Sequence, residues 1–97
     1  MAINHYTISG TGWTPITTSG TSGSCWLKDA VEGGGNCVVY HSSSGIPSVD
    51  LIDYGKKVYK SVRNNDVCNI TADSSNDIYY AMIDNEEGTC VIISDYI

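Results

Sequence analysis

Asp66-Val67-Cys68-Asn69-Ile70-Thr71-Ala72, Asp77-Ile78-Tyr79-Tyr80-Ala81-Met82-Ile83-Asp84 and Thr89-Cys90-Val91-Ile92-Ile93-Ser94-Asp95-Tyr96-Ile97 read as three short β-strands in series. Two turns join them, Asp73-Ser74-Ser75-Asn76 and Asn85-Glu86-Glu87-Gly88, built from residues that bend a chain. The last two strands are apolar on both faces. Ile78, Tyr80 and Met82 point one way, and Tyr79, Ala81 and Ile83 the other; Cys90 and Ile92 oppose Val91 and Ile93. A strand with one wet face alternates apolar with polar, so these two are covered on each side. A chain of 97 residues has little structure to spare for such cover. Either the rest of the chain folds over both faces or another subunit covers one, and the second is the expectation.

The length gives one domain, residues 1–97. Ile3–Ser9 and Trp13–Thr18 have strand character, with Pro15 demoting the second to an edge or a bulge. Ser24–Lys28 and Cys37–His41 follow as strands, separated by Gly33-Gly34-Gly35-Asn36, a turn that tolerates positive φ. Ser48–Tyr54 suits one helical turn, with Ser48 as N-cap and Gly55 as stop, and suits a strand about as well. Lys56–Val62 alternates as a half-exposed strand. The sum is an all-β, single-domain sandwich or barrel of about seven or eight short, mostly antiparallel strands.

Charge is distributed unevenly. Met1–Leu27 has no Asp, Glu, Lys or Arg; Lys28–Arg63 holds five bases and four acids; Asn64–Ile97 holds seven acids and no base. The net charge of −6 repels phosphate backbones and argues against nucleic acid as a partner. Asp73, Asp77, Asp84, Glu86 and Glu87 all fall at turns and read as solvated. Lys56, Lys57, Lys60 and Arg63 form the basic cluster, a solvated face or the complement of an acidic patch on another copy. The uncharged N-terminal segment, residues 1–27, suits a surface packed against neighbours, since a lone monomer would gain solubility from charges there. No apolar run approaches the roughly 18 residues of a membrane span. Met1-Ala2-Ile3-Asn4-His5-Tyr6 lacks a basic segment followed by an apolar one, so synthesis in a cytoplasm without a signal peptide is expected.

Tests for chemistry return little. Cys25, Cys37, Cys68 and Cys90 show no Cys-x-x-Cys, and neither His5 nor His41 has zinc-ligand spacing from a cysteine. They read as buried thiols, with a Cys25–Cys37 bridge across a hairpin as the alternative. His41-Ser42-Ser43-Ser44-Gly45 sets a base beside hydroxyls but lacks a nucleophile elbow. Gly33-Gly34-Gly35 opens no helix and is no phosphate loop. Asp84-Asn85-Glu86-Glu87-Gly88 lacks the ligand spacing of a calcium loop. No catalytic residue, metal ligand or cofactor site is expected. Assembly contacts are expected instead at Ile3, Tyr6, Ile8, Trp13, Tyr79, Ile83, Val91 and Ile93.

Thr11-Gly12-Trp13-Thr14-Pro15-Ile16 and Thr71-Ala72-Asp73-Ser74-Ser75-Asn76-Asp77-Ile78-Tyr79-Tyr80-Ala81 resemble segments of small β-rich structural proteins of tailed-bacteriophage virions. That class comprises capsid decoration proteins, head-fibre proteins and small tail components. The similarity is one of style across much of the chain, and the class has no shared site motif from which a residue could be carried over. The resemblance implies a non-enzymatic virion protein that stabilises a capsid or tail lattice as an oligomer, often a trimer. Its partners would be further copies of itself and the major capsid protein. The alternative reading is a carbohydrate-binding β-sandwich in which Trp13, Trp26 and tyrosines stack on sugar rings; an enzyme or enzyme inhibitor is the third.

Overall fold

Every strand pairing is antiparallel, and the pairs nest: first strand with last, second with seventh, third with sixth, fourth with fifth. The computed structural model describes residues 2–28, 31–54, 56–59, 67–72 and 75–96. The strands are β1 (Ala2–Ser9), β2 (Thr14–Pro15), β3 (Gly23–Leu27), β4 (Cys37–Ser42), β5 (Lys56–Tyr59), β6 (Val67–Ile70), β7 (Ile78–Ile83) and β8 (Thr89–Tyr96). Two further pairings, β3 with β8 and β4 with β7, join the nested pairs into sheets. One sheet has the order β1-β8-β3-β6 and the other β2-β7-β4-β5. This is the connectivity of a jelly roll, a long hairpin of eight strands rolled into two facing sheets.

The expected all-β sandwich is therefore observed, with strand bounds shifted by a residue or two except in β2, which keeps only Thr14–Pro15 of the expected Trp13–Thr18. Pro15 lies on an edge strand, where its missing N–H interrupts no ladder. Residues Val49–Tyr54 form a 3₁₀ helix, settling the choice between helix and strand. Ser48 caps it: its Oγ accepts from Asp50 N at 3.3 Å and its carbonyl from Leu51 N at 3.0 Å. The stop at Gly55, the 60–62 end of the expected strand, Lys60 and Arg63 lie outside the described residues.

The main core lies between the sheets. Ile8, Cys25, Leu27, Cys68, Ile70, Cys90 and Ile92 reach it from one side, and Cys37, Val39, Ala81 and Ile83 from the other. Ile16 and Val31 close it from the connections. Burying each such Ile, Leu or Val contributes on the order of 1.5–3 kcal/mol.

A second cluster forms on the outer face of the β2-β7-β4-β5 sheet. Val38, Tyr80 and Met82 stand there, packed against Trp13, with Tyr40, Ile52 and Ile78 at the margin. The indole Nε1 of Trp13 donates to the Ser48 carbonyl at 2.9 Å, and its ring meets Tyr40 at a centroid distance of 5.7 Å. This corrects the expectation that a second subunit covers the outer side of β7. The chain covers it itself, with the segment before β2 and with the 3₁₀ helix.

The glycine turn after Val31 seats on the β7–β8 hairpin. Gly33 and Gly35 adopt φ of +80° and +92°. A Cβ at Gly33 would meet the Glu87 carbonyl, and one at Gly35 the Asn85 side chain, so both positions need glycine for conformation and for space. Asn36 then donates through its Nδ2 to Asp84 Oδ2 at 2.9 Å, while Asp84 N donates to the Asn36 carbonyl at 3.0 Å. Asp84 is thus a clasp between turns, contrary to its reading as a solvated acid.

Candidate interaction surface

The outer face of the β1-β8-β3-β6 sheet carries no such cover among the described residues. Register sets its rows: Ile3 beside Asp95 beside Ser24, and His5 beside Ile93 beside Trp26. Thr7 stands opposite Val91 in the next row. Val91, Ile93 and Trp26 are half-buried and Ile3 is 65% exposed. Asp95 is the only formally charged residue in the four strands, and its Oδ1 is buried without a hydrogen-bond partner. The result is a broad, nearly neutral face with an apolar stripe. At its margin β1 is an eight-residue edge strand with no charge and no proline. Such edges lack the usual devices that discourage pairing with another chain.

Of the expected contact residues, the structure brings Ile3, Val91 and Ile93 together on this face. Tyr6 is half-buried on the inward side of β1, and its hydroxyl lies 3.0 Å from that of Tyr96. Burial, with that hydrogen bond, pushes the Tyr6 phenol up to about 12. Ile8 and Ile83 are fully buried between the sheets and Trp13 is 7% exposed beneath Tyr40 and Ile52. These three cannot present side chains to a neighbour, which corrects their assignment as contacts. The reason is general to the uncharged segment: Ile8, Trp13, Ile16, Cys25 and Leu27 are core, so much of it is interior rather than surface.

Tyr79 belongs to a different feature, at the end of the sandwich. The His41 ring stacks on the Tyr79 ring at a centroid distance of 4.9 Å. His41 Nε2 lies 3.0 Å from Asp77 Oδ2. The Tyr79 hydroxyl donates to the Thr71 carbonyl at 3.0 Å and accepts from Thr71 N at 3.1 Å, tying β7 to the segment that leaves β6. Asp77 is 3% exposed, so its reading as a solvated turn acid is also corrected. Sequence reasoning missed this cluster because its members meet only through the β4–β7 register, His41 opposite Tyr79. Ser42 takes no part. Strand alternation turns it to the other face, where its Oγ donates to the Gly45 carbonyl at 2.7 Å.

A shallow cleft of about 720 Å³ lies beside the β7–β8 turn, with Val49, Ile52 and Met82 as apolar lining and Asp84, Glu86 and Glu87 as acidic lining. Among the described residues, no three His, Cys, Asp or Glu side chains are grouped to hold a metal ion. Among the same residues, no helix is long and apolar enough to cross a membrane. In comparisons with known proteins, no family model matches the chain, and no curated protein or solved structure is significantly similar to it.

Proposed function

We propose that this chain is a non-enzymatic structural protein of a tailed-bacteriophage particle, binding and stabilising a capsid or tail lattice as an oligomer. The observation that carries the reading is the outer face of the β1-β8-β3-β6 sheet. It offers Ile3, Val91, Ile93 and Trp26 on a nearly neutral sheet bordered by an open, uncharged edge strand. A face of this kind suits many-copy packing, in which modest contacts are multiplied by effective concentration. Jelly rolls serve in viral capsid proteins and in lectins alike, so the fold supports this reading by analogy alone.

The glycan-binding alternative rests on aromatic platforms, and Trp13 is withdrawn from it by burial. Trp26 and the Tyr79–His41 stack are what remain for it. Mass spectrometry and immunogold labelling of purified particles of the encoding phage decide between them. Regular, stoichiometric labelling of capsid or tail is expected. Absence from purified particles, together with retention on a glycan array, would replace the structural reading by the second.

A further inference from the structure

The four cysteines are scattered in sequence and meet in one core, where none is in a disulfide. Cys25 of β3 and Cys68 of β6 stand directly opposite in register. Opposed residues of an antiparallel pair have Cα atoms about 4.5–5.5 Å apart, within the roughly 4.4–6.8 Å that a disulfide spans. Cys37 of β4 and Cys90 of β8 face one another from the two sheets, with the Cys37 thiol donating a hydrogen bond to the Cys90 sulfur. A purely space-filling role for small apolar side chains requires no such pairing. Here all four fall into two facing pairs.

We infer that Cys25–Cys68 and Cys37–Cys90 are two oxidation sites that a peroxide converts to disulfides within the folded chain. Cys90 is the sulfur that reacts first in its pair. It retains slight solvent exposure, whereas Cys37 has none. The hydrogen bond from Cys37 holds the Cys90 thiol below its ordinary value, and the same bond with burial pushes Cys37 above its own.

The Cys90 thiolate attacks one oxygen of hydrogen peroxide, forming a sulfenic acid; the departing hydroxide takes up a proton and leaves as water. Cys37 then attacks the Cys90 sulfur through its own, giving up its proton as the sulfenic hydroxyl leaves as a second water. Two thiols and one peroxide become one disulfide and two waters. Cys68, slightly exposed where Cys25 is fully buried, opens the same sequence in the other pair. The products tie β3 to β6 within one sheet, and β4 to β8 between the sheets.

The test treats the folded, reduced protein with hydrogen peroxide, blocks residual thiols, digests, and identifies linked peptides by mass spectrometry. Cys25–Cys68 and Cys37–Cys90 links are expected, with a rise in Tm on the order of 10 °C that dithiothreitol reverses. The same reaction in denaturant should give a mixture of the three connectivities that four cysteines allow. Cys68→Ala should retain the Cys37–Cys90 link, and Cys90→Ala the Cys25–Cys68 link. Should either variant fail to fold, the linkage map of the unmodified chain decides alone. A native Cys25–Cys37 link, a native mixture like the denatured one, sulfinic acid without disulfide, or four thiols that remain unoxidised would each overturn the inference.

Discussion

His41 Nε2 and Asp77 Oδ2, 3.0 Å apart, join the end of β4 to the residue that precedes β7. A carboxylate at 3% exposure needs polar partners to remain there, and His41 is one of them. His41→Ala should therefore lower unfolding stability by about 1–3 kcal/mol. His41→Gln, which keeps a donor, should cost less. Urea denaturation of both variants checks this, and equal stability of wild type and His41→Ala would show that the other contacts of Asp77 suffice.

Tyr6 gives a pH signature. Its phenol titrates near the ordinary 10.0 when unfolded and at about 12 when folded. The folded chain holds the proton more tightly, so the contribution is complete below about 10 and is lost as pH rises through about 12. Stability should decline across that window and less so in Tyr6→Phe. At neutral pH the same variant should lose about 0.5–1.5 kcal/mol through its missing bond to Tyr96. Parallel alkaline curves for the two proteins would remove Tyr6 as the source.

Gly35→Ala should be costly despite adding one methyl group. The position combines φ of +92° with a Cβ site that collides with Asn85. A loss of roughly 1–3 kcal/mol is expected, with the β7–β8 turn showing faster amide exchange. Gly12→Ala is the control, since nothing lies within 4 Å of its Cβ site. Similar effects at both positions would contradict this account of the turn.

Trp13→Ala should strip the cover from Val38, Tyr80 and Met82. A loss of about 3–5 kcal/mol is expected, with dye binding to newly exposed apolar surface. A soluble variant of undiminished stability would mean that Tyr40 and Ile52 cover the face unaided.

Ile93→Glu places a charge in the middle of the stripe on the opposite sheet. Its half-exposed site predicts a stability change under about 1 kcal/mol and loss of incorporation into particles. Attachment of the wild type should depend weakly on salt, because the face carries only Asp95 as a formal charge. Retained incorporation of Ile93→Glu, or a steep fall of wild-type binding with salt, would move the contact to the acidic turns or the basic strand.

The strands were legible because their period of two and their turn residues are local properties, readable at Asp77–Asp84 and Thr89–Ile97. The two-faced character of β7 was legible too, but its cause was not. Trp13 and Ile52 lie far from β7 in sequence, and only the fold shows that they supply its second layer. Asp77 and Asp84 looked like turn acids because their partners, His41 and Asn36, come from other strands and loops. Alternation puts Val91 and Ile93 on one face, and only the β1–β8 register adds Ile3, whereas Ile8, Trp13 and Ile83 were misplaced. An uncharged sequence does not distinguish an interior from a neutral exterior.

Because β8 lies between β1 and β3, the last of the eight strands to be synthesised is an inner member of its sheet. Until Tyr96 has cleared the ribosome, β1 has no partner in its sheet and β3 can rely only on β6. The sandwich therefore cannot close until residues 89–96 have emerged, and stalled chains lacking them should stay protease-sensitive. Nascent chains crowded on one message meanwhile present vacant places for a β8 strand. A β8 released by one ribosome could enter its neighbour's sheet, making strand exchange between copies a hazard of the order in which this chain is made.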